Sequence, residues 1–409
     1  MNMNHEKYIV IVDPFSTGAL YAPIFRQRGY HCIAVRSSAS TPRHFASGFR
    51  PENFVEGRLF DIDDALAYAG EQGIAAVIAG CEMAIAATDA LAARLKLAGN
   101  SADTSVRRRE KYAMQEALRE AGLRHIPSIF VERKEDIAAM TEALTDIAYV
   151  VKPLNSAGTE GVRFCQGRAG ARGALEDAAW GAVNDLGEIN QGFVVQPFVQ
   201  GREYVVDMVA HADGYAVASL CLYDKLRCNG SNFVYAGLDV LDPCDPQYAA
   251  LISYAIEAAR ALKIVIGPIH MELLWNDQGP VMIEAGARLH GGIAPALFND
   301  CYQPSLLELA VDAYTGRPIL TVQCQRTRYG RIVFLINDRV HPYQGIAEAS
   351  EALLGQLPSY RGHKIFHDPG EVLPVTIDLA TCPGIVWFAH HDAQQLKEDE
   401  SDCRKLKLI

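Results

Sequence analysis

Val265–Gly292 reads VIGPIHMELLWNDQGPVMIEAGARLHGG, and this stretch decides the fold. Two short apolar runs, one ending at Glu272 and one around Val281–Ile283, flank the turn-rich Asn276-Asp277-Gln278-Gly279-Pro280. That is a hairpin signal. Period-2 alternation puts His270 and Glu272 on one strand face, and Glu284 is expected to follow the second strand. Two carboxylates on neighbouring strands, with Arg288 and Gly291-Gly292 just beyond, suit a hard cation held beside an anion. Mg²⁺ is bound in this way, through one or two carboxylates plus substrate phosphates. Alone, such a pair is more often solvated charge at strand ends, so the segments around it must decide.

A chain of 409 residues exceeds one ordinary core, and two to four domains are expected. With 49% hydrophobic and 21% charged residues, the balance is globular. The net charge of −11 argues against nucleic acid as a partner, which needs a basic surface. Ten cysteines form no Cys-x-x-Cys pair, so reduced thiols in a cytoplasmic setting are expected, not disulfides or a zinc site. The start, MNMNHEKYIVIVDPF, lacks the features of a signal peptide, and no apolar run approaches the ~18 residues of a membrane span. The expectation is a cytoplasmic protein with no membrane partner.

Outward from the hairpin, Tyr8–Val12 (YIVIV) reads as a strand buried on both faces. A helical pattern over Ala19–Arg28 and a second strand at His31–Val35 complete a right-handed βαβ unit. With a strand at Ala75–Ala79 and a helix at Ala84–Leu95, the first hundred residues read as a doubly wound α/β domain. Ser16-Thr17-Gly18 has the residue types of a phosphate cradle, but no G-x-G-x-x-G or P-loop surrounds it. Glu82 lies just past a strand end, where ligands enter open sheets, although a plain surface carboxylate is the commoner case. Ser101–Gly122 opens with the capping cluster SADTS and continues as a charged helix carrying Lys111. Its basic run Arg107–Arg109 is expected to be a solvated face.

Tyr149–Lys152 (YVVK) is a strand ending in a lysine, followed by Pro153–Val162, a small-residue loop with two glycines. Such a loop lets backbone N–H groups approach phosphate oxygens while the lysine supplies a point charge. A plain hairpin loop is the competing reading. Phe193–Val199 is a buried strand with an exit at Pro197. Strands at Tyr204–Val209 and Tyr215–Leu222 precede a polar loop at Cys228–Gly237, long enough for a substrate lid or a surface excursion. An amphipathic helix, Gln247–Lys263, then delivers the chain to the hairpin. Beyond Arg328 come a strand (Arg331–Ile336), a helical stretch near Ile346–Leu354, mixed β segments and a charged tail, Gln394–Lys407. His390-His391-Asp392 has no partner at ligand spacing and reads as a surface strand end.

In this order the elements resemble the ATP-grasp superfamily over most of Ala75–Gly292. The resemblance is carried by Lys111 in RRREKYAM, Lys152 in YVVKPLNSAGTEGV, the run VVQPFVQGREYVVD, and the pair MEL and MIEAGARLHGG. The implied fold class is α/β and α+β multidomain, an ATP-grasp fold with an N-terminal doubly wound pre-ATP-grasp domain. Its expected divisions are 1–100 for that domain, 101–195 for a small ATP-grasp subdomain with its connecting helix, 196–322 for a large subdomain with the metal site, and 323–409 for a C-terminal α+β subdomain. The resemblance implies ATP as cofactor, with Lys111 and Lys152 on its phosphates and the Ser156–Gly161 loop, including Gly158, folded over them. It also implies that Gln196, Pro197 and Val199 meet the adenine and that Glu203 holds the ribose. Gln196 departs from the acid usual in that place. Glu272 and Glu284 would hold Mg²⁺ or Mn²⁺. The frequent pattern E-x-N is here Glu284-Ala285-Gly286, so the amide ligand is missing.

The chemistry so implied is attack of a carboxylate on the γ-phosphate, giving an acyl phosphate and ADP, and then displacement of phosphate by an amine. Positioning and electrostatics supply most of such catalysis. Lys152 would spread the charge of the transferring group. Arg288 would steady the acyl phosphate, with Gly291 and Gly292 offering backbone N–H groups; a structural ion pair is the alternative role for Arg288. GCEMAIAATDALAARLKLAGN, RRREKYAM and IEAGARLHGG together resemble the stand-alone carboxylate–amine ligases, the bacterial L-amino acid ligases in particular. Two amino acids would then be the partners, with Glu82, His270, His290 and Lys225 as candidates for their pockets, and a homodimer would suit the apolar N-terminal domain. A packed, hydrogen-bonded histidine is an equally good reading of His270. Rival readings are an ATP-grasp carboxylase using bicarbonate, a ligase acting on a nucleotide or peptide precursor, and a non-catalytic ATP-binding module.

Overall fold

The computed structural model describes residues 7–38, 41–46 and 48–408. Met1–Glu6, which open the segment scanned above for a leader, lie outside the described residues. Tyr8–Val12 is apolar throughout because both of its faces are covered. Ile9 and Ile11 share a core with Tyr21 and Phe25 of the helix Tyr21–Gln27, whereas Val10 and Val12 pack with the helices Ile62–Ala69 and Ile85–Arg94. The strands Leu59–Phe60, His31–Val35, Tyr8–Val12 and Ile74–Ala79 lie side by side in that order, all parallel. The turn after Val12 presses backbone against backbone. A Cβ on Gly80 would stand 2.3 Å from the carbonyl oxygen of Asp13, so only glycine fits there.

A second sheet is small and antiparallel, in the order Ile129–Val131, Phe193–Pro197, Ala148–Pro153, Arg163–Gln166. A third has eight antiparallel strands, in the order Gly279–Gly286, Gly267–Asn276, Arg202–His211, Gly214–Cys228, Ser231–Leu241, Tyr329–Phe334, Gly384–His390, Tyr360–Ile365. Helices Lys111–Glu120 and Ala249–Ala261 cover one face of it, and Ala294–Cys301 and Leu306–Thr315 cover the other. The last three strands of this sheet come from beyond residue 322, so the division expected there falls within one continuous sheet.

Several local expectations are corrected. The polar segment Cys228–Gly237 is not a loop: Gly214–Cys228 and Ser231–Leu241 form a long hairpin turning at Asn229-Gly230. Asn229 at the turn donates to the carbonyls of Asn337 and Thr376, and Val234–Gly237 are buried. The helix expected from Ser101 is broken into a 3-10 stretch, Ala102–Arg108, and an α-helix that begins at Lys111. The charged tail folds as the helix Ala393–Cys403, capped by Asp392. Among the described residues no helix is long and apolar enough to cross a membrane, and the ten cysteines are unpaired.

The run Arg107–Arg109 is no solvated face either. Arg108 is fully buried and donates to Asp89 Oδ2 at 2.8 Å and to the carbonyl of Ser101 at 2.6 Å. It also reaches the carbonyls of Leu262 and Lys263, tying the parallel sheet's helix to the large sheet's helix. Removing one partner of a buried pair strands the other charge, at a cost of about 3–5 kcal/mol. Arg108→Ala is therefore expected to lower the urea midpoint followed by circular dichroism by that order. Arg107→Ala, which breaks a half-exposed pair with Glu120, is expected to cost no more than about 1 kcal/mol.

Candidate functional site

A cleft of about 900 Å³ opens between the small and large sheets, the size of a small-molecule site. The hairpin forms its floor. Ile269, Met271 and Leu273 point into the core, so the pleat turns His270 and Glu272 to the opposite face, where both line the cleft. Glu284 lies within the strand Gly279–Gly286, not after it, and its register partner is Glu272. Like charges directly opposite one another destabilise a sheet. Here cations compensate: Lys111 Nζ stands 3.3 Å from Glu284 Oε2, and His270 Nε2 stands 3.4 Å from Glu272 Oε1. Burial alone would raise the Glu272 carboxyl, but the hydrogen bond and charge of His270 bring it below the usual range.

Behind His270 lies a buried cluster that was not foreseen. Asp207 accepts from His270 Nδ1 at 3.0 Å, from His290 Nδ1 at 2.9 Å and from Ser219 Oγ at 2.5 Å. Burial pulls His270 down, yet its bonds to Asp207 and Glu272 carry it up to about 9. His290 is lowered, chiefly by burial. The two rings stand 4.2 Å apart between centroids. The signal for Asp207 was an acid in the middle of the apolar alternation YVVDMVA, a place that demands partners. Both histidines line the cleft and are packed, hydrogen-bonded groups.

Across the cleft, Lys152 sits near the end of Ala148–Pro153, buried, with no hydrogen bond or ion pair to any described residue. Burial and the charge of Lys111 lower it to about 8. Lys111 Nζ donates to the carbonyl of Ser156 at 2.8 Å and so ties down the start of the small-residue loop. Ser156 and Gly158 line the cleft. Gly161 does not: at φ +69° it turns the loop back, and a Cβ there would stand 2.9 Å from Pro153 Cγ. Gln196, Pro197, Val199 and Glu203 line one end. Lys225, expected with the amino-acid pockets, instead grips Glu203 through both oxygens, at 2.7 and 2.9 Å, and lies over the Tyr235 ring.

The other end belongs to Arg288, Gly291, Gly292, Ser16, Thr17 and Glu82. Glu82 is engaged on both oxygens, by Arg288 Nε at 2.7 Å and by Arg109 Nη1 at 2.8 Å. Arg109 continues to Glu188 Oε1 at 2.8 Å. The ion pair weighed as the alternative for Arg288 therefore exists, and Arg288 still lines the cleft. Arg109 was hidden in a basic run whose burial no periodicity reveals. His390 and His391 stay at the surface, as expected.

Lys152 on the small sheet, Lys111 on the helix beneath the floor, and the two carboxylates of the large sheet's floor define the class. Residues 109–292 match the ATP-grasp domain; the likeness to ligases with that domain makes the chain an ADP-forming ligase, and proteins of that family bind ATP or ADP. It resembles the L-amino acid ligases. Dapdiamide A synthase of Enterobacter agglomerans is 27% identical over 425 residues, covering 99% of this chain and 97% of that protein. The L-arginine-specific L-amino acid ligase of Bacillus subtilis is 25% identical over 231 residues, 55% of this chain and 54% of its own. The L-amino acid ligase of Bacillus licheniformis superposes with a TM-score of 0.78 at 17% identity, covering 100% of this chain and 99% of that one.

Asp207 accepts three hydrogen bonds, and an amide offers one accepting atom in place of two. Asp207→Asn is expected to leave a buried donor facing a donor and to cost about 1–3 kcal/mol, read as a lower melting temperature. Ser219→Ala, which removes one donor without opposing another, is expected to cost less in the same melt.

Proposed function

We propose that this ATP-grasp ligase joins two L-amino acids into a dipeptide through an acyl phosphate, releasing ADP and phosphate. The observation that carries the reading is Lys152, a buried lysine with no ion pair or hydrogen bond of its own, facing a floor that holds two carboxylates. A buried ammonium that the nearby carboxylates do not contact directly calls for an anion from the ligand. The lengthwise likeness to dapdiamide A synthase supports amide formation as the outcome.

In this reading Gln196, Pro197 and Val199 meet the adenine, Glu203 the ribose, and Lys111, Lys152 and the backbone of Ser156–Gly158 the phosphates. Glu272 and Glu284 fit a divalent cation by their chemistry: two hard oxygen donors held face to face by strand register. Bound Mg²⁺ would neutralise phosphate charge there. The carboxylate of the first amino acid attacks the γ-phosphorus and ADP leaves; Lys152 stabilises the charge spread over the transferred oxygens. Arg288, beside Gly291 and Gly292, holds the acyl phosphate. The amine of the second amino acid adds to the acyl carbon, loses its proton, and expels phosphate to leave the amide.

The test is phosphate release from ATP with Mg²⁺ across pairs of free L-amino acids, with product masses determined. ADP, phosphate and a dipeptide mass are expected with particular pairs only. Lys152→Ala and Glu284→Gln are each expected to lower turnover by at least about 100-fold while circular dichroism is unchanged. Phosphate release that needs bicarbonate and no amino acid would replace this reading with the carboxylase one, and nucleotide binding without turnover with any acceptor would favour the non-catalytic module.

A further inference from the structure

The hairpin leaves one position on the cleft floor without a side chain. Gly286 lies two residues beyond Glu284 on the same strand, hence on the same face, and its register partner is His270. Its φ is not in the left-handed region, so the backbone would accept other residues. Space would not. A Cβ on Gly286 would stand 2.8 Å from Glu82 Oε2 and 3.4 Å from Arg288 Nε. The place a side chain at 286 would take is filled by a carboxylate reaching over from the parallel sheet's edge, more than two hundred residues away in sequence.

That carboxylate is not free to step aside. Arg109 and Arg288 hold it from two directions, at 2.8 and 2.7 Å, and the three side chains are only 10–16% exposed. Burial would raise Glu82, and the charges of Arg288 and then Arg109 override it, leaving an ionised anchor. Arg109 is held in turn by Glu188. Beside Gly286 is a cavity of about 20 Å³ lined by Glu82, Arg109, Lys111, Glu284 and Arg288 among others, room for a single water. Three cationic side chains meet two carboxylates around it, so this side of Glu284 is already supplied with positive charge.

We propose that Glu82 is a positioning residue: it occupies the space of a side chain at 286, fixes Arg288 across the cleft, and makes Arg288 the standing positive charge on that side of Glu284, so that the site takes one divalent ion with its nucleotide and not two. The inference rests on the ligase reading for the role of Arg288, but the ion count does not. A second divalent ion at Glu284 would have to displace Arg288 or Lys111 from the carboxylates they face. Coulomb repulsion at these distances and low exposure opposes that.

The test is a Mn²⁺ titration of the full chain with a non-hydrolysable ATP analogue, counting bound ions by electron paramagnetic resonance, beside steady-state kinetics of Glu82→Gln and Glu82→Asp. One ion per wild-type chain is expected at saturation. Glu82→Gln is expected to lower kcat by about 10–100-fold, as loss of a supporting partner does, with KM for ATP within about threefold. Glu82→Asp should recover part of kcat, because the charge returns. Two ions per wild-type chain, or Glu82→Gln with kcat within about twofold of wild type, would overturn the proposal. If Glu82→Gln does not fold, the wild-type count decides alone. A wild type that binds nucleotide with one ion and makes no amide from any pair refutes the ligase reading and leaves the ion count standing.

Discussion

Glu272 and Glu284 face each other across two strands of one sheet, and no sheet favours that arrangement by itself. Much of the chain supplies what the pair needs. Lys111 comes from the helix that packs under the floor, His270 from the same strand, Lys152 from a different sheet, and Arg288 from the segment just past the hairpin. His270 is itself held charged by Asp207, two strands of the sheet being in register at Asp207 and His270. Lys111, His270 and Arg288 each have a second attachment, at Ser156, Asp207 and Glu82. The electrostatic need of two carboxylates is met by tertiary structure as a whole.

The chain from Glu188 through Arg109, Glu82 and Arg288 serves the same end by another route. It crosses from the small sheet's neighbourhood to the edge of the parallel sheet and into the cleft. Ion pairs this little exposed are poor contributors to stability, because desolvation offsets most of the attraction. Their worth lies in geometry. A guanidinium offers a rigid fork, and two of them on one carboxylate leave few orientations open to either. Arg288 is thereby aimed before any ligand arrives, which is the condition for useful electrostatic stabilisation.

What the residues disclosed, and what they hid, follows from the range of the forces involved. Tyr8–Val12, His31–Val35 and the hairpin were legible because local apolar patterning reports burial directly. Lys152 and Glu272 were legible because strand ends and alternation fix where a side chain points. Glu284 was placed only approximately, since the sequence does not show how far a strand runs past its apolar residues. Tyr215–Leu222 was legible as a strand, but Cys228–Gly237 was read as a loop because its polar and glycine residues mask the turn and the start of a paired strand. Arg108, Arg109 and Asp207 were missed or misread for a different reason. A charge is buried only when a partner from another element meets it, and Asp89, Glu82 and His290 are all distant in sequence.

The overall charge of −11 and a site built for anionic ligands are compatible on the same grounds. At physiological ionic strength exposed charges are screened beyond about 8 Å, so the acidic surface does little at the cleft. Lys111, Lys152 and Arg288 are buried or nearly so, and in that setting each acts with far less screening. The lysine without a partner is the sharpest case. Burial lowers Lys152 to about 8, close enough to neutrality that its charge costs free energy in the empty cleft. A polyanion placed against it offsets that cost. The free energy withheld in the empty site is therefore released on binding, and in the proposed reading the position at which it is released, beside Glu272 and Glu284, is where phosphate charge is gathered for transfer.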